Sequence, residues 1–256
     1  MADGQDHGGA MAAVIDPQES LAAIRTLTAK ALAGIPTGEP AFDCLGVVAR
    51  ECGITARMAE DVIEGFALDA ADWHPRRESD LYQYCYHVAG AVGVMMAVVM
   101  GVPADDDATL DRACDLGLAF QLANIARDIA EDDAAGRCYL PDDWLATLDI
   151  GPGEHMKPHN RKKLALMGRW LADEAEQYEA SARVGAAHLP LRARWAVLSA
   201  AGIYGEIARK VRAADSHAWD QRIFTSRPEK FRWVRKAFVD AVANNPRAMD
   251  RDALWT

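Results

Sequence analysis

No stretch of this chain is apolar for long enough to cross a bilayer. The longest uncharged apolar run, Val88 to Val102, is about 15 residues against the roughly 20 a span needs, and Gly90, Gly93 and Gly101 interrupt it. It reads as a core helix. The N-terminus opens on Asp3 and Gly4 and lacks the basic residues and apolar run of a secretory signal. Cysteine is sparse: Cys44, Cys52, Cys85, Cys114 and Cys138 are odd in number, scattered and without paired spacing. That pattern excludes a disulfide framework and the usual zinc or dithiol motifs. The five are expected as buried small hydrophobes in a reducing compartment, the cytoplasm. Positive charge is also in deficit, 28 Lys and Arg against 38 Asp and Glu for a net charge of -10, which argues against a nucleic-acid partner. β-branched runs are scarce. No strand precedes Gly90 and Gly93 and no third glycine follows, so no nicotinamide cofactor is indicated. Repeats and linkers are missing too, and the 256 residues read as one all-α domain.

What is present is a stretch from Leu118 to Asp132 with no proline or glycine, dense in Leu and Ala, which predicts a helix. Gln121, Asn124, Asp128 and Asp132 fall on one polar stripe, with Asp128 and Asp132 about 40° apart around the axis and about 6 Å apart along it. Leu118, Leu122, Ile125 and Ile129 form an apolar stripe beside it, and Phe120 and several alanines fill most of the rest. A helix apolar nearly all round is normally buried, and buried carboxylates need partners. Two like charges one turn apart repel unless a cation sits between them. Two Asp and an Asn amide suit a hard cation that keeps several waters, which describes Mg²⁺, with Mn²⁺ as a substitute, rather than zinc. Arg127 adds a planar fork suited to phosphate oxygens. The set reads as a diphosphate and Mg²⁺ site in a helical bundle. Glu131 and Asp133, nearer the Gly136 stop, read as a solvated face.

The remaining chain reads as helices throughout. Met1 to Ala13 is expected to be unstructured. Asp16-Pro17 starts a helix to Ala33, and Pro40 to Cys52 is ended by Gly53. Thr55 opens a helix to about Asp72, and Ser79 is expected to cap one from Asp80 to Met100. The acidic run Asp105 to Asp107 lacks the order of a calcium loop and reads as a solvated cap. A short helix carries Trp144 and Leu145, and longer ones run from about His159 to Val184, Leu191 to Ala214, and Pro228 to about Ala243. A polar tail follows from about residue 246. The count is seven to nine helices.

Other residues are individually less specific. His87, among apolar neighbours, reads as a satisfied core residue. Arg137 and Tyr139, just past the central helix, could close over phosphates. Tyr204 sits one turn before Ile207 and reads equally as a core tyrosine. The segment Arg227 to Lys236 mixes cations with aromatics and suits either an ordinary surface helix or peripheral contact with an anionic membrane.

Three of these segments, Tyr84 to Met96, Gln121 to Asp132 with Gly136 to Pro141, and Ala218-Trp219-Asp220-Gln221-Arg222, resemble the motifs of the head-to-head prenyl synthases, and most closely the bacterial phytoene synthases. Ile63 to Asp69 is a further match, and the similarity extends from about residue 40 to 235. The resemblance implies an isoprenoid-synthase helical bundle with a central cavity, joining two geranylgeranyl diphosphates through a cyclopropyl (prephytoene) diphosphate to phytoene, in carotenoid biosynthesis. By that resemblance Asn124, Asp128 and Asp132 hold Mg²⁺ on the donor diphosphate. Gln121, Arg127, Tyr204 and Tyr84 contact substrate, and Arg137 and Tyr139 stabilise the leaving group. A squalene or dehydrosqualene synthase using farnesyl diphosphate, or a non-catalytic homologue that binds diphosphate or a partner synthase, are the alternatives. The family also carries a first aspartate-rich motif near its N-terminus, preceded by about two helices. Asp3 resembles only the last aspartate of that motif, so the bundle is expected to be N-terminally incomplete.

Overall fold

A computed structural model describes residues 16–71, 73–252 and 254–255, and the readings of Met1 to Ala13 and of Asp3 lie outside that range. Among the described residues there are ten α-helices and no strand. The organising element is α6 (Asp107–Ala134), 28 residues and about 42 Å long. Its start is set by Asp106, whose carboxylate accepts from the Thr109 backbone N–H at 3.1 Å. The predicted solvated cap is therefore present, and the hydrogen bonds from Thr109 hold that carboxyl below its ordinary range. Leu118, Leu122, Ile125 and Ile129 are buried as their spacing requires. They meet Leu164, Met167, Leu171 and Tyr178 of α8 (Arg161–Ala186), the most extensive helix pair of the fold. The ring of helices is completed by α9 (Leu191–Ala214) and α10 (Arg227–Ala243) on one side, and α1 (Pro17–Leu32), α2 (Pro40–Cys52), α3 (Ala56–Ala70), α4 (Glu78–Cys85) and α5 (Ala91–Val99) on the other. The short α7 (Asp142–Thr147) packs Trp144 edge-on to Trp170, centroids 5.3 Å apart.

Two details correct the sequence reading. The helix expected from Asp80 to Met100 is interrupted by a π-helical turn, Tyr86–Gly90. It begins not behind a Ser79 cap but with the Asp80 carboxylate accepting the N–H groups of Arg76 and Arg77 at 3.0 and 3.1 Å. The π turn is where α6 comes closest: a Cβ on Gly117 would lie 2.3 Å from the Ala89 carbonyl oxygen and 2.6 Å from the Gly90 nitrogen. Backbone on both sides cannot yield as a side chain can. Gly117→Ala is therefore expected to cost about 3 kcal/mol, measured by urea unfolding, and an unchanged midpoint would refute this packing. His87 is the satisfied core residue expected, its Nδ1 2.9 Å from the Asp61 carbonyl.

The tail also differs from its reading. Residues 246–252 fold back over the bundle, and the Arg251 guanidinium embraces Asp115 with contacts of 2.8 and 2.9 Å. Asp115 is 0% exposed. Ser181 donates to the same carboxylate at 2.5 Å, and Arg112 ties Ser181 to the Met249 carbonyl. Of the cysteines, all free, only Cys85 is buried, while Cys44 is exposed on the outer face of α2, contrary to the expectation that all five are core residues. None of the described helices is long and apolar enough to cross a membrane.

Candidate active site

A cavity of about 470 Å³ lies between α5, α6, α8 and α9. Its wall is made of small and apolar side chains, among them Met96, Ala113, Ala182 and Ala200, and the α6 stripe supplies two of its few polar groups, Gln121 and Asn124. Tyr204 stands on the opposite wall with its ring stacked on Phe120 at 4.3 Å. Sequence periodicity aims Gln121 and Asn124 correctly because one helix face dictates both. Nothing in the periodicity reveals Phe120 as a wall residue.

One turn beyond Asn124, Asp128 is held by two cations. Arg127 donates through Nε at 2.7 Å and through a terminal nitrogen to the second carboxylate oxygen, and Arg222 approaches at 3.0 Å. Arg222 comes from the loop after α9, which is fixed by three devices. The Trp219 indole N–H donates to the Ala126 carbonyl at 3.0 Å. The Trp219 ring occupies the space where a Cβ on Gly168 would stand, 2.9 Å away. Arg161 binds the Ser216 carbonyl at 2.6 Å, pairs with Asp220 and lies 6.0 Å over the Trp219 ring. Replacing Trp219 with Phe removes the N–H and part of the ring packed on Gly168, so a loss of about 2 kcal/mol is expected in a thermal melt. No loss would mean that the indole bond does not anchor the loop.

Asp132 lies a further turn along. Gly136, at φ 76°, reverses the chain so that the Arg137 N–H donates to the Asp132 carbonyl at 2.8 Å. This brings the Arg137 guanidinium to 3.9 Å from the Asp132 carboxylate. Three guanidinium groups thus surround two carboxylates whose side chains are each 18% exposed. Burial, reinforced by Asp128 and Glu131, pushes the Asp132 carboxyl up to about 6. A raised carboxyl pKa makes the folded state bind the proton more tightly. That stabilisation is present below the unfolded value near 4 and is lost as pH rises through 6. Asp132→Asn has no charge to bury, so it is expected to raise ligand-free stability at pH 7.5 by about 2 kcal/mol and to flatten the curve between pH 4 and 6. Urea unfolding at the two ends of that window checks it, and lower stability at pH 7.5 would contradict it.

Tyr139 borders Asp132 and Arg137 in a narrow crevice and stacks on Tyr84 at 5.0 Å, with Trp73 behind Tyr84 at the same spacing. Tyr84 is buried, donates to Asp69 at 2.8 Å and is not among the cavity-lining residues. In this structure it supports Tyr139. Glu131 is exposed as read, whereas Asp133 lies 3.3 Å from the buried His155. Arg222 and Phe120 were not assigned to the site from sequence, and only the loop's match to a family motif pointed to the former. Among the described residues no three of His, Cys, Asp and Glu gather as a metal-binding group; the oxygen set on α6 is two carboxylates and an amide.

The chain matches the squalene/phytoene synthase family model over residues 2–229. It is 46% identical to the phytoene synthase of Pseudescherichia vulneris over 99% of this chain and 82% of that protein. It is also 46% identical to the 15-cis-phytoene synthase of Pantoea ananas, over 91% of this chain and 74% of the other. Among solved structures it resembles a dehydrosqualene synthase with a TM-score of 0.79 and 26% identity, over 88% of this chain and 79% of that one. The squalene synthase HpnC from Alicyclobacillus acidocaldarius shares the fold, with a TM-score of 0.70 at 22% identity over 81% of this chain and 77% of that one. With its all-α isoprenoid-synthase fold and a family match that runs through the aspartate stripe and the arginine loop, the chain belongs to the squalene/phytoene synthase family.

Proposed function

We propose that this protein is a phytoene synthase-type prenyltransferase, joining two geranylgeranyl diphosphates head to head, through a cyclopropyl (prephytoene) diphosphate, to phytoene. The observation that carries the reading is the meeting of two regions along α6: a cluster of Arg127, Arg137 and Arg222 around two carboxylates, continuous through Asn124 and Gln121 with an apolar cavity. A diphosphate with a long isoprenoid tail has that same division. The 44–48% identity to several bacterial proteins named phytoene synthase supports the choice of product.

Asn124, Asp128 and Asp132 would hold Mg²⁺, or Mn²⁺ in its place. Asp132 is a half-buried carboxylate whose only ion-pair partner among the described residues stands 3.9 Å away, a state that a bound cation relieves. When bound, the ion offsets the charge of the departing diphosphate. The chain's own groups do the rest. Arg127, Arg137 and Arg222 fork onto diphosphate oxygens and favour the charge that develops as the C–O bond breaks. Gln121 and Tyr204 sit where tail meets head and orient the first carbon. The stacked faces of Phe120 and Tyr204 place electron-rich rings beside the allylic cation. The apolar wall keeps water from quenching it.

The second reading, a squalene or dehydrosqualene synthase using farnesyl diphosphate, rests on the likeness to the dehydrosqualene synthase structure. Incubation with geranylgeranyl or farnesyl diphosphate and Mg²⁺, with the hydrocarbon identified by mass, separates the two. Phytoene from the longer substrate is the expected product. A hydrocarbon formed only from farnesyl diphosphate would establish the alternative, and none from either would favour a non-catalytic homologue.

A further inference from the structure

The narrow crevice between the end of α6 and the segment that follows it measures about 10 Å³, and its wall brings Asp132, Arg137 and His155 together among apolar side chains. That space is the size of one water molecule. Three nitrogens of these wall residues, Nε of Arg137 and both ring nitrogens of His155, are buried and find no hydrogen-bond partner among the described residues. His155 is 3% exposed. Burying polar atoms without partners is costly, and an apolar side chain would fill the same place without that cost. The loop nevertheless fixes the ring there. The buried Asn160, just before α8, donates through Nδ2 to the Glu154 carbonyl at 2.9 Å, and the Glu154 N–H donates to the Gly151 carbonyl at 3.0 Å. The Cys138 thiol, also on the wall, is already turned to the Leu140 carbonyl and leaves the three nitrogens unanswered.

Donors and acceptors identify what fits between these groups. The Nε–H of Arg137 can only donate, so its partner accepts. Burial holds His155 below the ordinary imidazole range, so the ring is neutral at neutral pH and carries a single proton. Asp133 Oδ1, 3.3 Å from Nε2, draws that proton to Nε2 and leaves Nδ1 as an acceptor, a tautomer assigned from this charge. The same partner therefore donates as well. A halide cannot donate and would face Asp132 and Asp133, and a metal cation would face the Arg137 guanidinium. Water both accepts and donates, and its second proton suits the Asp132 carboxylate. We propose that one water bridges Arg137 Nε, His155 Nδ1 and Asp132, and that His155, acting through it, is a positioning residue for diphosphate capture. The bridge fixes the Arg137 stem from behind and leaves its terminal nitrogens to fork onto diphosphate oxygens. This rests on the reading that Arg137 meets the diphosphate. It adds that the aim of Arg137 is set from the loop before α8.

The test is calorimetric titration of the full chain with inorganic diphosphate in the presence of Mg²⁺. His155→Leu is expected to weaken diphosphate binding about tenfold. His155→Asn carries an amide oxygen where Nδ1 stood, so it keeps the acceptor and should bind like the parent. Packing alone would give the reverse order, since leucine fills the apolar surroundings better than asparagine. Arg137→Ala should weaken binding by itself, and adding His155→Leu to it should weaken it no further, because His155 acts through Arg137. Undiminished binding by His155→Leu, or an equal loss in His155→Asn, overturns the proposal while a loss in Arg137→Ala keeps the diphosphate site. Undiminished binding by Arg137→Ala, or none by the parent, overturns the diphosphate reading together with this one. A high-resolution crystal structure of the parent gives a check that needs no variant to fold. Density for a water within about 3.2 Å of Arg137 Nε and His155 Nδ1 is expected, and a crevice without it contradicts the bridge.

Discussion

Asp128→Asn is expected to lower turnover of geranylgeranyl diphosphate by about 10³-fold or more while the helical circular dichroism of the protein is kept. The substitution preserves the shape of the side chain and removes its charge at the point where Arg127 and Arg222 converge. Without that charge the oxygen set on α6 loses its affinity for a hard cation, and the two guanidinium groups lose the group that fixes their direction. Stability should fall by about 1–2 kcal/mol, because the mostly buried Arg127 loses its charged partner while the half-exposed Arg222 exchanges it for water at little cost. Asp132→Asn makes the comparison sharper. It is expected to lose activity to a similar extent and yet to gain stability at neutral pH, because the carboxyl it replaces is held near 6 by burial. Two neighbouring carboxylates with matching effects on rate and opposite effects on stability would separate a binding role from a structural one. Product mass after a fixed incubation reads the first effect, and urea midpoints read the second. Wild-type turnover by Asp128→Asn would remove the assignment of the stripe.

Arg251→Ala is expected to cost about 3–4 kcal/mol, the largest stability loss of the set, because it strands a fully buried carboxylate. Asp115 would retain only the Ser181 hydroxyl. Replacing both partners with apolar residues, Asp115→Leu with Arg251→Met, is expected to recover most of the loss, since the penalty lies in the unpaired charge more than in the pair. Denaturant unfolding of the single and double variants decides it. A single variant as stable as the parent would show that the tail does not carry the contact in solution.

These two results bear on how far residues alone can be read. The stripe Gln121, Asn124, Asp128 and Asp132 was legible because a single helix fixes its geometry: spacing along the chain becomes direction in space, and the apolar neighbours announce burial. The bounds of α2 and the start of α9 were legible for the same kind of local reason, a glycine or proline at each of these breaks. Arg222 and Arg251 were not. Each reaches its carboxylate from a loop or tail more than 90 residues away in the chain, and no periodicity records such a meeting. The π turn at Tyr86–Gly90 was hidden because the backbone it packs against, at Gly117, lies on another helix. Tyr84 carried the chemistry of a substrate contact, but the stacking of Trp73 and Tyr139 on it is a tertiary outcome. Cys44 shows the limit of residue preference: a thiol is usually buried, yet its place on the outer face of α2 is set by its neighbours in the helix.

The central claim is that the α6 stripe grips a diphosphate through a divalent ion. Crystals grown with Mn²⁺ and inorganic diphosphate test it directly, because manganese scatters anomalously and takes the same oxygen ligands as magnesium. The account predicts an anomalous peak within coordination distance of the Asp128 and Asp132 carboxylates, with the diphosphate beside it on Arg127, Arg137 and Arg222. Diphosphate bound to the arginines with no manganese at those carboxylates, or manganese bound elsewhere, would contradict it.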